Sequence, residues 1–210
     1  MPRNTLCIFI DWNKTLSYSL FWGHLKNNHP YAHLLPKIEK CLFKDNREII
    51  NPWMRGKYST KEIVSKIAKD ILVPENFLME ELAKSCRNMA FCSDEIPELI
   101  YSIQQKNIKV VIATDNMDTF REFTIPSMQL DNLFDDFLIS SETGVLKGDV
   151  RDGKIIFFEP FLQKNNLSYK EVVLLDDSTD ITSIYNSKGF PIIHIDSPDS
   201  LINTLRLYTN

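Results

Sequence analysis

Leu6-Cys7-Ile8-Phe9-Ile10-Asp11-Trp12-Asn13-Lys14-Thr15-Leu16 is the stretch whose reading decides the fold. Its unbroken apolar run, Leu6 to Ile10, reads as a strand buried on both faces, and Asp11 stands at its exit. In open α/β sheets the groups that do chemistry sit just beyond the strand ends. Alone, an Asp there serves as readily as a turn residue or helix cap. Three later segments repeat the design: VVIATDN ending at Asn116, a loop carrying Lys147, and VVLLDDS ending at Ser178.

Working outward from these strands, the chain from about Ser93 alternates helix and strand. Ile96, Leu99, Ile100 and Ile103 recur at helical spacing, and IKVVIA follows as a strand. Helix is expected over 118–128, with Pro126 disturbing its end. A short strand is expected over 137–139, a helix over 157–165 and a strand over 172–175. A helix over 181–188 closed by Gly189, a strand over 191–195 and a last amphipathic helix in DSLINTLRLY complete the series. This rhythm implies an α/β fold, a Rossmann-like, mainly parallel sheet with helices on both faces.

Residues 17–91 read differently. No convincing strand occurs there, and STKEIVSKIAKDIL carries a capping box of Ser59 and Glu62. PENFLMEELAKSCRNM places Pro74 in a helix first turn, with Phe77, Leu78, Leu82 and Cys86 turned inward. The segment is expected to be a helical insertion within an α/β core formed by 1–16 and 92–210. Its aromatics Tyr18, Phe21, Trp22, Tyr31, Phe43, Trp53 and Tyr58 are expected chiefly to pack the bundle, with a substrate-facing wall as the alternative.

Bulk properties exclude several classes. The net charge of -4 opposes general nucleic-acid binding, which needs a basic surface. No run approaches membrane-spanning length. Met1 to Thr5 is too short and polar for a leader, and Cys7, Cys41, Cys86 and Cys92 lack zinc-type spacing. A cytoplasmic location with free thiols is expected.

Parallel strands end along one edge, so Asp11, Asn13, Thr114, Asn116, Lys147, Asp176 and Asp177 are expected to share one crevice. Carboxylates gathered there repel one another and call for a cation. Oxygen-only donors favour a hard ion such as Mg²⁺. A cation, a lysine and a hydroxyl together suit a phosphate group.

These residues carry a resemblance. The chain resembles the haloacid dehalogenase-like (HAD) superfamily, in its branch with a helical cap inserted after the first motif. D-x-D-x-T stands here as Asp11-Trp12-Asn13-Lys14-Thr15, the second motif as VVIATDN with Thr114, the third as Lys147, and the fourth as Asp176-Asp177. The resemblance implies a phosphatase that hydrolyses a phosphomonoester, on a phosphorylated small molecule or side chain. Asp11 would be the nucleophile, forming an aspartyl-phosphate. Thr114 would hold a phosphoryl oxygen, with the Asp115 amide and Asn116 nearby, and Lys147 would orient Asp11 and offset charge. Mg²⁺ would be bound by Asp11, the Asn13 carbonyl and Asp177, with Asp176 in contact or one layer behind.

The pattern breaks at Asn13, where active phosphatases of the family carry an Asp that acts as acid and base. An amide cannot exchange that proton. Three explanations stand: a change made to trap a complex, a weak or inactive relative that binds a ligand or partner, or a reaction whose leaving group needs no acid. Dehalogenase chemistry, which lacks the metal, ranks last because the acidic pair is intact. Ile181 is a smaller departure at a position often polar in the family; Asp180 precedes it.

Overall fold

The structure is a computed structural model, and it describes residues 5–26 and 29–209. Met1 to Asn4, where the expectation of no leader rests, lie outside the described residues.

Five strands form the main sheet: β1 (Cys7–Ile10), β2 (Lys109–Thr114), β3 (Asp136–Ile139), β6 (Val172–Asp176) and β7 (Ile192–His194). Their spatial order is β3-β2-β1-β6-β7, every neighbouring pair being parallel. Alternation along the strands divides the core. Ile8, Ile10, Val110, Ile112, Val173 and Leu175 face one side, and Cys7, Phe9, Val111, Ala113, Val172 and Leu174 face the other. Helices α5 (Ile96–Gln104) and α10 (Pro198–Arg206) cover the first face through Ile100, Ile103, Leu201 and Leu205. Helices α8 (Glu159–Asn165) and α9 (Thr182–Lys188) cover the second through Phe161, Leu162 and Tyr185. This is the expected layered α/β arrangement.

Two local features differ from the sequence reading. Val150–Arg151 (β4) and Lys154–Ile155 (β5) make a small antiparallel hairpin around Asp152-Gly153, both with positive φ. A two-residue Asp-Gly connection between short strands is a recognisable hairpin signal. In the expected helix after β2, residues 120–124 take wide π-type turns before α6 (Ile125–Ser127). Pro126 has no N–H to give an i→i−4 bond, which favours that widening, and the helix stops one residue later.

Between β1 and β2 lie α1 (Leu35–Lys40), α2 (Ile50–Met54), α3 (Thr60–Ile71), α4 (Glu75–Arg87) and short 3₁₀ turns. Ser59 and Glu62 form the capping box at the start of α3, as expected. Pro74 is the residue before α4 rather than within its first turn. Leu78, Leu82 and Cys86 are buried, and Phe77 is half-buried. The aromatics split: Trp22 and Trp53 are fully enclosed, whereas Tyr18, Tyr31, Phe43 and Tyr58 are exposed. The expectation that these aromatics mainly pack the bundle therefore holds for the tryptophans and fails for those four.

The insertion shares its apolar core with the sheet. Trp12, Leu16, Met89 and Phe120 join the residues of α3 and α4 to the first sheet face in one buried cluster. The two crossing points also touch, because the Cys92 N–H donates to the Leu16 carbonyl at 2.8 Å. No described helix is long and apolar enough to cross a membrane.

Candidate active site

Asp11, Thr114 and Asp176 lie at the carboxyl ends of the adjacent strands β1, β2 and β6, where parallel ladders fix their spacing. The Asp11 N–H still donates to the Leu175 carbonyl, 2.9 Å away, so the ladder holds this residue as chain direction changes. A tight loop follows: Lys14 has φ 57, Leu16 N–H donates to the Asp11 carbonyl, and Ser17 N–H donates to the Trp12 carbonyl. Trp12 anchors the loop from below, fully buried against Phe91 and Phe120.

Lys147 arrives from the far loop and places its ammonium between two carboxylates. Its Nζ lies 2.8 Å from Asp11 Oδ1 and 2.5 Å from Asp176 Oδ2. All three side chains are almost wholly enclosed, with exposures of 8% or less. Around that ammonium, Asp11, Asp176 and Asp177 each offer an oxygen, and these oxygens lie within 4.8 Å of one another. Asp177 is the most open of the three, at 28% exposure, with Lys14 Nζ 4.0 Å away.

The electrostatics follow from crowding. Burial is the main force that lifts the Asp11 carboxyl, to about 7; the Lys147 ammonium opposes it and Asp176 adds to it. For Lys147, burial works to lower the ammonium's pKa, yet Asp11, Asp176 and Asp115 outweigh it and the net direction is upward. Asp177 is likewise raised, first by burial and then by Asp176. One buried lysine against this many carboxylates leaves negative charge that a divalent cation would offset. The donor set around the gap is oxygen only, which fits a hard ion.

Thr114 and Asn116 are both fully buried, and neither Thr114 Oγ1 nor Asn116 Nδ2 has a hydrogen-bond partner. Buried polar atoms seldom stay unpaired, so both are suited to receive an oxygen-rich ligand. Asn13 is half-buried two residues beyond Asp11. The structure therefore brings Asp11, Thr114, Lys147, Asp176 and Asp177 to one sheet edge, and Asn13, Asp115 and Asn116 lie on the loops that leave it. Asp180 and Ile181 stand apart: Asp180 is exposed, and Ile181 packs on the second sheet face.

Several supporting contacts escaped sequence reasoning. The Asp115 carboxylate accepts the Lys147 N–H at 3.0 Å, and the Tyr185 hydroxyl donates to the Lys147 carbonyl at 3.0 Å. Ser140 Oγ accepts from the Asn116 N–H at 2.9 Å. Asp176 Oδ1 accepts the Ser178 N–H at 2.8 Å, so both of its oxygens are engaged. The insertion also grips these loops. Arg55 makes a fork of hydrogen bonds to Asp149, whose Oδ2 also accepts the Leu146 N–H. Thr60 bonds Asp118 through both hydroxyl and N–H, and Gly56 lies against the Ser141 carbonyl.

Comparison with known structures agrees with the fold. A predicted HAD-like family hydrolase from Porphyromonas gingivalis superimposes with a TM-score of 0.71 at 15% identity, covering 97% of each chain. The chain has the haloacid dehalogenase-like fold. A HAD family enzyme of Bacteroides thetaiotaomicron, in complex with magnesium and inorganic phosphate, matches at TM-score 0.65 and 12% identity, over 93% of this chain and 96% of that one. An L-2-haloacid dehalogenase from Xanthobacter autotrophicus, with chloropropionic acid covalently bound, matches at TM-score 0.63 and 11% identity, over 97% and 83%. A HAD family enzyme bound to magnesium and phosphate and a haloacid dehalogenase thus share the scaffold. No family model and no curated protein matches the sequence.

Proposed function

We propose that this protein is a Mg²⁺-dependent HAD-like phosphatase acting on a phosphorylated small molecule or side chain, with turnover slowed by Asn13. The observation that carries the reading is the Lys147 ammonium seated between Asp11 and Asp176, beside the acidic gap shared with Asp177. A haloacid dehalogenase is disfavoured by that gap, because excess buried carboxylates serve no purpose in metal-free displacement at carbon.

On this reading Asp11 attacks phosphorus, the leaving oxygen departs, and water then hydrolyses the aspartyl-phosphate. Lys147 keeps Asp11 oriented and offsets charge on the phosphoryl oxygens. Thr114 Oγ1 and Asn116 Nδ2 donate to those oxygens, as does the Asp115 N–H. Asp11, Asp177 and the Asn13 carbonyl would hold Mg²⁺, with Asp176 fixing Lys147. That ion would supply charge neutralisation for the transferring group. Residues 17–91 serve as a cap that excludes water and sets substrate choice.

Asn13 can hydrogen-bond to the leaving oxygen but cannot protonate it, which typically costs about 10²–10⁴-fold in rate. A second reading follows from that one residue: a protein that binds a ligand or partner in the crevice without turnover. The test compares Mg²⁺-dependent hydrolysis of a phosphomonoester panel by the unaltered chain, Asn13→Asp and Asn13→Asp/Asp11→Asn. The phosphatase reading expects a gain of about 10²–10⁴-fold for Asn13→Asp. It expects loss of that gain when Asp11 is also changed. A silent Asn13→Asp variant would hand the site to the binding reading.

A further inference from the structure

Three of the chain's four histidines, His24, His29 and His33, fall within ten residues of the insertion. Two of them converge on helix α4. His24 Nε2 lies 2.6 Å from Glu81 Oε2, and the rings of His24 and His29 meet edge to face with centroids 5.6 Å apart. His24, His29 and Glu81 each present a ligating atom within 4.8 Å of the other two. The loop that carries the histidines is held in place independently of them. The Trp22 N–H donates to Ser85 Oγ at 3.0 Å, and its indole N–H donates to the Leu78 carbonyl at 3.1 Å. Both acceptors belong to α4, so one helix fixes the loop and supplies the carboxylate.

We infer that His24, His29 and Glu81 form a second metal site, specific for a nitrogen-preferring divalent ion of the Zn²⁺ class. The chemistry follows from the donors. Two imidazoles and one carboxylate make the His₂Glu set that Zn²⁺ accepts in tetrahedral sites, whereas Mg²⁺ prefers oxygens alone. The 2.6 Å between His24 Nε2 and Glu81 Oε2 is a hydrogen-bond distance, and a divalent ion held by both atoms would take the place of the shared proton. His24 Nδ1 is shielded from solvent and has no partner, so Glu81 alone orients the ring through Nε2. His29 Nδ1 accepts only a long 3.3 Å bond from the Tyr31 N–H, a weak competitor to metal ligation. Lys84 occupies the other Glu81 oxygen at 2.7 Å, leaving Oε2 to the ion.

Access is available. His24 lines an open cavity of about 420 Å³ with Leu20, Gly23, Lys26 and Asn88, which gives an ion a path to this ring. The ion would staple the 3₁₀ turn at Gly23–Leu25 to α4. This site is independent of the acidic gap at the sheet edge and does not rest on the phosphatase reading.

The test uses the full chain stripped of metal and titrated with Co²⁺, a coloured stand-in for Zn²⁺, in excess Mg²⁺ to saturate oxygen-only sites. One equivalent should give visible bands of low-coordinate cobalt, which Zn²⁺ then bleaches. His24→Gln and His29→Gln should each weaken binding by more than the ~10–100-fold that outer hydrogen-bond partners of a metal site are worth. Circular dichroism establishes that each variant is folded. Should His24→Gln fail to fold, His29→Gln decides, since the one hydrogen bond its ring accepts, from the Tyr31 N–H, is long. Absence of saturable bands, or bands that persist in the folded histidine variants, would overturn the site. So would bands removed by Asp177→Asn, which would place the ion at the sheet edge.

Discussion

The sheet edge and the insertion hold their charges in opposite ways. At the edge, Asp11, Asp176 and Lys147 are almost completely enclosed, on strands and a loop that leave each side chain little freedom. Across the boundary with the insertion, Arg55 and Asp149 are about a quarter exposed and belong to loops. Interactions between enclosed charges are strong and intolerant of change, whereas those near water are weak and adjustable. The contrast supports placing the proposed chemistry at the edge, with the insertion deciding on that reading what reaches it.

The sharpest way to break this comparison is at Lys147. Lys147→Met removes the buried cation seated between Asp11 and Asp176 and leaves both carboxylates without that partner. We expect a loss of about 3–5 kcal/mol in unfolding free energy, read by urea denaturation. A loss below about 1 kcal/mol, the range of an exposed pair, would mean the edge is not electrostatically special.

Gly56 sharpens the other side. Its φ of 65° is left-handed, and an added Cβ would stand 2.2 Å from the Ser141 carbonyl oxygen. Gly56→Ala should cost about 1–3 kcal/mol and lift α2 away from the short helix Ser140–Thr143 that follows β3. Faster proteolysis near residues 55–60, with Lys147 still protected in the core, would fit the division drawn here. Global unfolding without a local stage would not.

How much of this was legible in the sequence depends on the range of the interactions. The apolar run Cys7-Ile8-Phe9-Ile10 and the Ser59/Glu62 box are local, and both elements stand where they were expected. The strand-end carboxylates were also readable, because parallel topology alone brings them to one edge. The Asp152-Gly153 hairpin carried a local signal that the strand-helix rhythm overshadowed. Tyr185, Ser140 and the Asp115 carboxylate had no signal at all. Each acts on a backbone group distant in sequence, and no spacing rule encodes that. Aromatic density in the insertion could not separate Trp53, enclosed beside the Thr60 hydroxyl, from the exposed Tyr58. Nor did it show that the insertion shares one buried cluster with the sheet, so that deleting it would strip apolar surface from the core.

The smallest expected effect is at Arg55. Arg55→Ala should cost about 1 kcal/mol near neutral pH, the upper range for a partly exposed pair. The Arg55 guanidinium is the leading cause holding the Asp149 carboxyl below its ordinary range. A depressed carboxyl stabilises the fold fully above its unfolded value, and that contribution fades as pH falls through the folded value. The difference in melting temperature between unaltered chain and variant should therefore be steady from pH 8 to about 5 and shrink below about 4. A gap that widens in acid would contradict the pairing.

Crystals grown with Mg²⁺ and inorganic phosphate test the central claim most directly. The account predicts one six-coordinate ion shared by Asp11 and Asp177, with oxygens at about 2.1 Å, and a phosphate oxygen between Thr114 and Lys147. An ion bound elsewhere, or a phosphate that never touches Lys147, would contradict it.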